Sequence, residues 1–327
     1  MDKTSNQVKI GVIGVGYLGN YHVQQLQQIE NSIVVGIYDS DKNRLSKISN
    51  DYSVKAFSDI DDLLRKCDAV SIATPTSTHH LVAQKALSAG CHLFIEKPIT
   101  QTVEEAQNLL EMSSKNKKII QVGHIEQFNP AFLALDKQHI SPMFIESHRL
   151  APFNPRGIDV PVVLDLMIHD IEIVLSLVKS KVTEIRASGV KVASTSEDIA
   201  NARIEFQNGC IANLTASRIS QKKMRKMRLF QENTYVTVDF LEGIVEMYET
   251  HDKNITAPKN TQVFPFDGHE EKVVWYVKPE VKPANALRLE LEHFIESISL
   301  EKIPDVDGKN ATDALHLAIE IQNIIEK

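Results

Sequence analysis

Three groups of residues in this 327-residue chain have types and spacings that could do chemistry. The first is Gly14-Val15-Gly16-Tyr17-Leu18-Gly19, directly after the apolar run Val8–Ile13. Glycine at its first position permits a tight turn, and at its second lets a pyrophosphate approach the backbone. At its third it lets a helix pack closely on a strand. The helix opening at Tyr17 and Leu18 then offers free N–H groups to phosphates. Asp39 stands twenty residues beyond Gly19, where a carboxylate can hydrogen-bond adenosine ribose hydroxyls and repel a 2′-phosphate. These residues predict a dinucleotide site that prefers NAD(H) to NADP(H). Lys42 and Arg44 read as solvated residues of the next helix.

The second group is Glu96-Lys97-Pro98, following the apolar run His92–Ile95 on the edge where open α/β sheets bind ligands. By itself such a Glu-Lys pair is usually a solvated turn, and that reading would win if nothing else supported a site. The third is Asp165 and His169, four apart on an otherwise apolar helix, with Glu172 continuing the stripe. Buried ionisable groups are costly unless paired, so the stripe is either a proton-handling site or a narrow solvent-facing face. Asp170 could equally belong to solvent.

The elements that must position these groups follow from periodicity. Val8–Ile13, Ile33–Tyr38, Ala69–Ala73, His92–Ile95 and Ile119–Val122 read as strands. They alternate with helices near Leu18–Ile29, Asp41–Asn50, Thr78–Ala89 and Val103–Lys115, the last but one ended by Gly90 as a C-cap. The alternation predicts an α/β Rossmann domain over residues 1–123. Residues 124–327 read as an α+β domain with an open, mostly antiparallel sheet. A short helix at Pro130–Gln138, a strand at Met143–Leu150 and a long apolar helix at Val160–Val178 lead into it. Strands follow from Lys181 to Val277 with turns at Asn208-Gly209 and Glu242-Gly243, and helices at Ala284–Ser299 and Thr312–Ile325 close the chain.

With 43% apolar and 24% charged residues the composition is that of an ordinary globular protein, large enough for two cores. The net charge of −7 predicts neither a nucleic acid nor a membrane surface as partner. No stretch reaches the roughly 18 apolar residues of a membrane span. Cys67, Cys91 and Cys210 are odd in number and lack metal-ligand spacing. No metal site and a cytoplasmic location are expected from them and from the polar Met1–Gln7.

The glycine-rich turn, Thr74-Pro75, Glu96-Lys97-Pro98 and Asp165-x-x-x-His169, in that order, resemble the glucose-fructose oxidoreductase/inositol dehydrogenase (Gfo/Idh/MocA) family over essentially the whole chain. The resemblance implies that Thr74 and Pro75 lie near the nicotinamide ribose, that His79 matches a histidine usual in the following helix, and that Pro98 follows a cis peptide bond. Glu96 and Lys97 join Gly14, Gly16, Tyr17, Leu18, Gly19 and Asp39 around NAD, and Lys97, Asp165 and His169 form the catalytic group. It further implies a homodimer or homotetramer. The sequence departs at Gln127, where many members carry arginine. In alcohol oxidation His169, with an intrinsic pKa of about 6.5, suits a general base; Asp165 would orient it, and Lys97 would stabilise developing alkoxide.

Cations cluster in this acidic chain at Arg149 and Arg156, before the catalytic helix, and at Arg218, Lys222, Lys223 and Arg225. They read either as a clamp for a diphosphate or, for the run Lys222–Arg228, as a solvated strand guarding a sheet edge. Segments His124–Phe132, His148–Gly157, Leu164–Ile171 and Asn213–Ser220 are similar to family members acting on UDP-activated N-acetylhexosamines, including at the sugar 3-hydroxyl. The expected substrate is therefore a sugar or sugar nucleotide, with Arg149, Arg156 and Arg218 as its ligands. A dehydrogenase of a free cyclitol or aldose, an aldehyde or imine reductase, and a non-catalytic dinucleotide sensor are the alternatives. Lys97, Asp165 and His169 together speak against the sensor, which has no need of a proton acceptor.

Overall fold

A computed structural model describes residues 7–135, 139–154, 160–259 and 261–327. The chain divides into two compact units: residues up to Phe128 with Asn285–Leu315, and Asn129–Ala284 with His316–Lys327.

In the first unit β1 (Val8–Ile13), α1 (Tyr17–Leu26), β2 (Ser32–Tyr38), α2 (Lys42–Tyr52), α3 (Ile60–Leu64), β3 (Ala69–Ile72), α4 (His79–Ser88), β4 (His92–Glu96), α5 (Val103–Asn116) and β5 (Ile120–Gly123) follow one another. The strands pair in parallel in the order β2-β1-β3-β4-β5. β3 and β5 are buried at every residue, as expected of parallel strands covered on both faces. The chain leaves β1 toward one edge and returns through β3 toward the other. The carboxyl ends of β1 and β3 therefore form the switch point where such sheets bind ligands. Helix starts carry their signals: the Asp41 carboxylate accepts N–H bonds from Asn43 and Arg44, and Thr102 and Glu105 form a capping box on α5.

The second unit contains α6 (Pro130–Leu133), β6 (Phe144–Leu150), a π-helical turn at Val163–Met167, α7 (Ile168–Val178) and strands β7 (Val182–Val190), β8 (Ile199–Phe206), β9 (Ile211–Ser217), β10 (Met224–Gln231), β11 (Thr234–Asp239), β12 (Ile244–Asp252), β13 (Gln262–Pro265) and β14 (Lys272–Val277). Among the described residues these strands form one nine-stranded sheet, ordered β13-β14-β12-β11-β10-β6-β9-β8-β7. It is antiparallel apart from β6 and β9. Burial alternates residue by residue along β6 and β8, the signature of a sheet with two unlike faces. Ser147 and Arg149 of β6 meet α7 through Asp170. Phe144, Phe230, Tyr235, Tyr248 and Tyr276 form a row of rings across five strands, with successive centroids 4.8–5.9 Å apart.

Two expectations change. The helix predicted over Val160–Val178 is interrupted by the π-turn, which hydrophobic periodicity does not reveal. The edge-guarding reading of Lys222–Arg228 fails because β10 lies inside the sheet, between β11 and β6.

The last two helices are α8 (Ala286–Ser299) and α9 (Gly308–Ile325), and the division between units falls within α9. α8 completes the first core: Leu291, Phe294 and Ile295 are buried with Ile10, Val12, Leu26 and Phe94, and the Phe94 and Phe294 rings meet edge-on at 5.8 Å. Phe294→Ala is expected to cost about 3–5 kcal/mol in denaturant unfolding. A cost below about 1 kcal/mol, the scale of a surface change, would remove α8 from that core.

Candidate active site

The glycine-rich turn is built by exclusion. Gly14 has φ 83°, and a β-carbon on it would lie 2.8 Å from both the Ala73 carbonyl oxygen and the Thr74 side chain. A β-carbon on Gly19 would lie 1.8 Å from the Gly14 carbonyl oxygen. Gly16 differs: its nearest neighbour would be Arg44 Nη1 at 3.9 Å, so no packing demands glycine there. Space for an approaching ligand does. α1 has no side-chain cap and no acidic residue in its first turn, which leaves its N–H groups to an anion. These features fit a dinucleotide pyrophosphate.

Asp39 is buried and closes the turn. Its carboxylate accepts the Val15 N–H at 2.9 Å and the Asp41 N–H at 2.8 Å, and Arg44 Nη1 lies 3.3 Å from it. Arg44 is thus an ion-pair partner of Asp39 and Asp41, although its side chain remains 47% exposed. Tyr17 and Leu18 are exposed at the helix start.

At the ends of β3 and β4 the structure gathers Thr74, His79, Glu96 and Pro98. The Lys97-Pro98 peptide is cis. His79 is buried, with Nδ1 2.9 Å from the Pro98 carbonyl oxygen and Nε2 2.9 Å from that of Thr74. Burial pushes its pKa down, against the pull of these carbonyls. Glu96 Oε1 lies 2.9 Å from Nε2 of His22, a fully buried α1 residue whose Nδ1 is 2.7 Å from Ser71 Oγ. Burial opposes ionisation of Glu96, but the His22 hydrogen bond and the Lys97 charge outweigh it and lower its pKa. His124, at the end of β5, is brought down to about 3 by burial and then by the Lys97 charge. Sequence reasoning missed His22, Ser71 and His124. A serine inside a wholly buried four-residue strand was the available signal, because a buried hydroxyl demands a partner.

In the second unit Asp165 lies in the π-turn and His169 in the first turn of α7, both half-buried. Asp170 and Glu172 are buried, which decides against the solvent alternative for Asp170. Asp170 receives Arg149 in two-pronged fashion, Nε at 2.8 Å and Nη2 at 3.1 Å, with Ser147 Oγ at 3.0 Å. Arg218 bonds to Asp198, Ser196 and the carbonyls of Val160 and Glu197. Both arginines are about 95% buried or more, with charges met by the protein itself. The expectation that Arg149 and Arg218 hold a substrate diphosphate is therefore replaced by a structural role. Arg156 lies outside the described residues. Lys222 and Lys223 are exposed, and Gln127 is buried.

A parallel sheet with a glycine-rich switch point, in a chain that also carries a mostly antiparallel sheet, defines a Rossmann-type oxidoreductase. The NAD-binding Rossmann-fold oxidoreductase profile matches residues 8–124, and the GFO/IDH/MocA C-terminal domain profile matches residues 150–237. UDP-N-acetylglucosamine 3-dehydrogenase of Acidithiobacillus ferrooxidans is 35% identical over 320 residues, 98% of this chain and 97% of that protein. A solved structure of it superposes with a TM-score of 0.88 at 34% identity, covering 98% of both chains. The scyllo-inositol 2-dehydrogenase (NAD(+)) of Bacillus subtilis is 26% identical over 339 residues, 97% of this chain and 94% of that one. The chain belongs to the Gfo/Idh/MocA family of oxidoreductases, and its first sheet is an NAD-binding Rossmann domain. Among the described residues no helix is long and apolar enough to cross a membrane.

His124 and His92 supply a pH test, since burial also lowers His92, to about 4. Both titrate near 6.5 in an unfolded chain, so below that pH unfolding takes up protons that the folded state refuses. Stability should hold above about pH 7 and fall from about 6.5 toward 3, at up to about 1.4 kcal/mol per pH unit for the fully buried His124 and less for the partly exposed His92. Urea titrations across pH measure this. His124→Gln, if it folds, should flatten the slope, and an unchanged slope would assign the protons elsewhere.

Proposed function

We propose that this chain is an NAD-dependent dehydrogenase that oxidises the 3-hydroxyl of UDP-N-acetylglucosamine. The observation that carries the reading is the full-length likeness, at 35% identity, to a UDP-N-acetylglucosamine 3-dehydrogenase. Gly14, Gly16 and Gly19 with the start of α1 would hold the pyrophosphate, Asp39 the adenosine ribose, and Thr74 and Pro75 the second ribose. The nicotinamide, when bound, supplies the hydride acceptor. His169 would take the hydroxyl proton, Asp165 would orient the imidazole, and Lys97 would hydrogen-bond the reacting oxygen as negative charge grows on it. Arg156, Lys222 and Lys223 remain the cations to meet the diphosphate, since Arg149 and Arg218 are occupied. The aromatic row Phe230, Tyr235, Tyr248 and Tyr276 supports self-association of the open sheet face.

NADH formation compared among UDP-N-acetylglucosamine, free N-acetylglucosamine and myo-inositol tests the substrate. Only the UDP-sugar should turn over efficiently, and His169→Ala should lower its kcat by roughly 10²–10⁴-fold with NAD(H) affinity unchanged. Efficient turnover of myo-inositol would favour the cyclitol reading instead.

Asp39 should make NAD(H) bind at least about tenfold tighter than NADP(H), a difference of about 1.4 kcal/mol. Nicotinamide fluorescence titration measures the gap. Asp39→Ala should narrow it, because the repelling carboxylate is gone and Arg44 keeps only its exposed partner Asp41.

A further inference from the structure

The row Ser71 Oγ, His22 Nδ1, His22 Nε2 and Glu96 Oε1, with steps of 2.7 and 2.9 Å, has the order of a hydrolytic triad. It cannot work as one: Ser71 and His22 have no exposed surface, so no acyl substrate could reach the hydroxyl. The row leads instead to the residue before Lys97. One Glu96 oxygen faces His22, and the other accepts the Lys97 backbone N–H at 3.3 Å. Gly123, paired with Glu96 across β4 and β5, leaves the room, since a β-carbon there would lie 3.0–3.2 Å from the carboxylate. With His22 neutral and Glu96 ionised, one proton order satisfies the row: Ser71 O–H donates to Nδ1, and Nε2–H donates to Glu96.

The other side of Lys97 is held as well. His79 lies between the Pro98 and Thr74 carbonyl oxygens, 2.9 Å from each; burial favours its neutral form, which donates its one N–H to one of them while the ring fills the space between the segments after β4 and β3. Lys97 therefore stands between two residues, Glu96 and Pro98, that buried histidines from α1 and α4 hold in place.

We propose that His22, with Ser71 and Glu96, and His79 are positioning residues: a two-sided brace that fixes where the Lys97 ammonium sits relative to the reacting oxygen. The proposal rests on the reading of Lys97 as the residue beside that oxygen. Neither histidine touches the substrate. A brace of this kind acts on turnover more than on affinity, because an error of about 1 Å in a reacting group can cost about 100-fold in rate.

The test uses the full-length enzyme with UDP-N-acetylglucosamine and NAD⁺, with kcat expressed per NADH-binding site so that misfolded protein is not counted. His22→Leu and His79→Leu should each lower kcat by about 10–100-fold, with both KM values within about 3-fold of wild type. His22→Gln should recover most of the loss, because its amide nitrogen falls where Nε2 was. Should the leucine variants fail to fold, Ser71→Ala removes the hydroxyl beside Nδ1 with the smallest change of shape, and it should also lower kcat. Unchanged kcat per site in His22→Leu, or in Ser71→Ala, overturns the brace. So does a His22→Gln enzyme no better than His22→Leu. Lys97→Met separates the two readings. If it is inactive while His22→Leu is normal, only the brace falls. If Lys97→Met turns over normally, the role of Lys97 falls and takes the brace with it.

Discussion

The Gly19 Cα lies so close to the Gly14 carbonyl that a methyl group in place of its hydrogen would stand 1.8 Å from the oxygen. The path of α1 follows from that contact. With the helix pressed onto the turn, its N–H groups face outward past Gly16, and Asp39 can close the turn through the Val15 N–H. Three residues further along, His22 arrives over β3 and β4 in reach of Ser71 and Glu96, with its ring edge-on to Phe94 at 5.4 Å. Cofactor cradle and Lys97 segment are thus set by the same helix. Phe94 meets Phe294 in turn, so α8 supports that helix from behind.

The second unit solves a different problem, which is how to anchor an apolar helix on the inner face of a sheet without losing its register. Arg149 and Asp170 do this with a two-pronged bond between β6 and α7. Removing one partner of such a buried pair strands the other and costs about 3–5 kcal/mol, whereas an apolar replacement of both can be neutral. The pair therefore specifies alignment more than it adds stability. Arg218 and Asp198 form a second buried pair, at the ends of β9 and β8. Burial alone would raise the Asp198 carboxyl, but hydrogen bonds from Ser194, Ala193 and Val192 hold it well below its usual range.

Much of this was legible in the residues. Gly14, Gly16, Gly19 and Asp39 announced the turn because each answers a steric or electrostatic demand made within forty residues of chain. The parallel sheet was legible from apolar runs spaced by helical stretches. Arg149 and Arg218 misled, since a cation in sequence carries no mark of whether its counter-ion is a ligand or a buried carboxylate. Asp170, the counter-ion of Arg149, read equally as a solvent residue. The interior place of β10 in the sheet was equally hidden, because strand order is a long-range property. The π-turn at Asp165 left no trace in hydrophobic periodicity, and the partners of His22, 49 and 74 residues away, could be found only in three dimensions.

The return of residues 285–315 to the first unit bears on how the chain is made. A ribosome releases the glycine-rich turn and all five parallel strands long before it releases Leu291, Phe294 and Ile295. Until then the face of β4 and α1 that α8 covers, including Phe94, has nothing to pack against. The first unit can form its sheet early but can seal its core only after about 160 intervening residues have been synthesised, a count set by the span between Phe128 and Asn285. A nascent chain of this kind presents a hydrophobic groove for most of its synthesis, the sort of surface that holdase chaperones occupy. A fragment cut at the end of the last parallel strand would inherit the same open groove as a permanent defect.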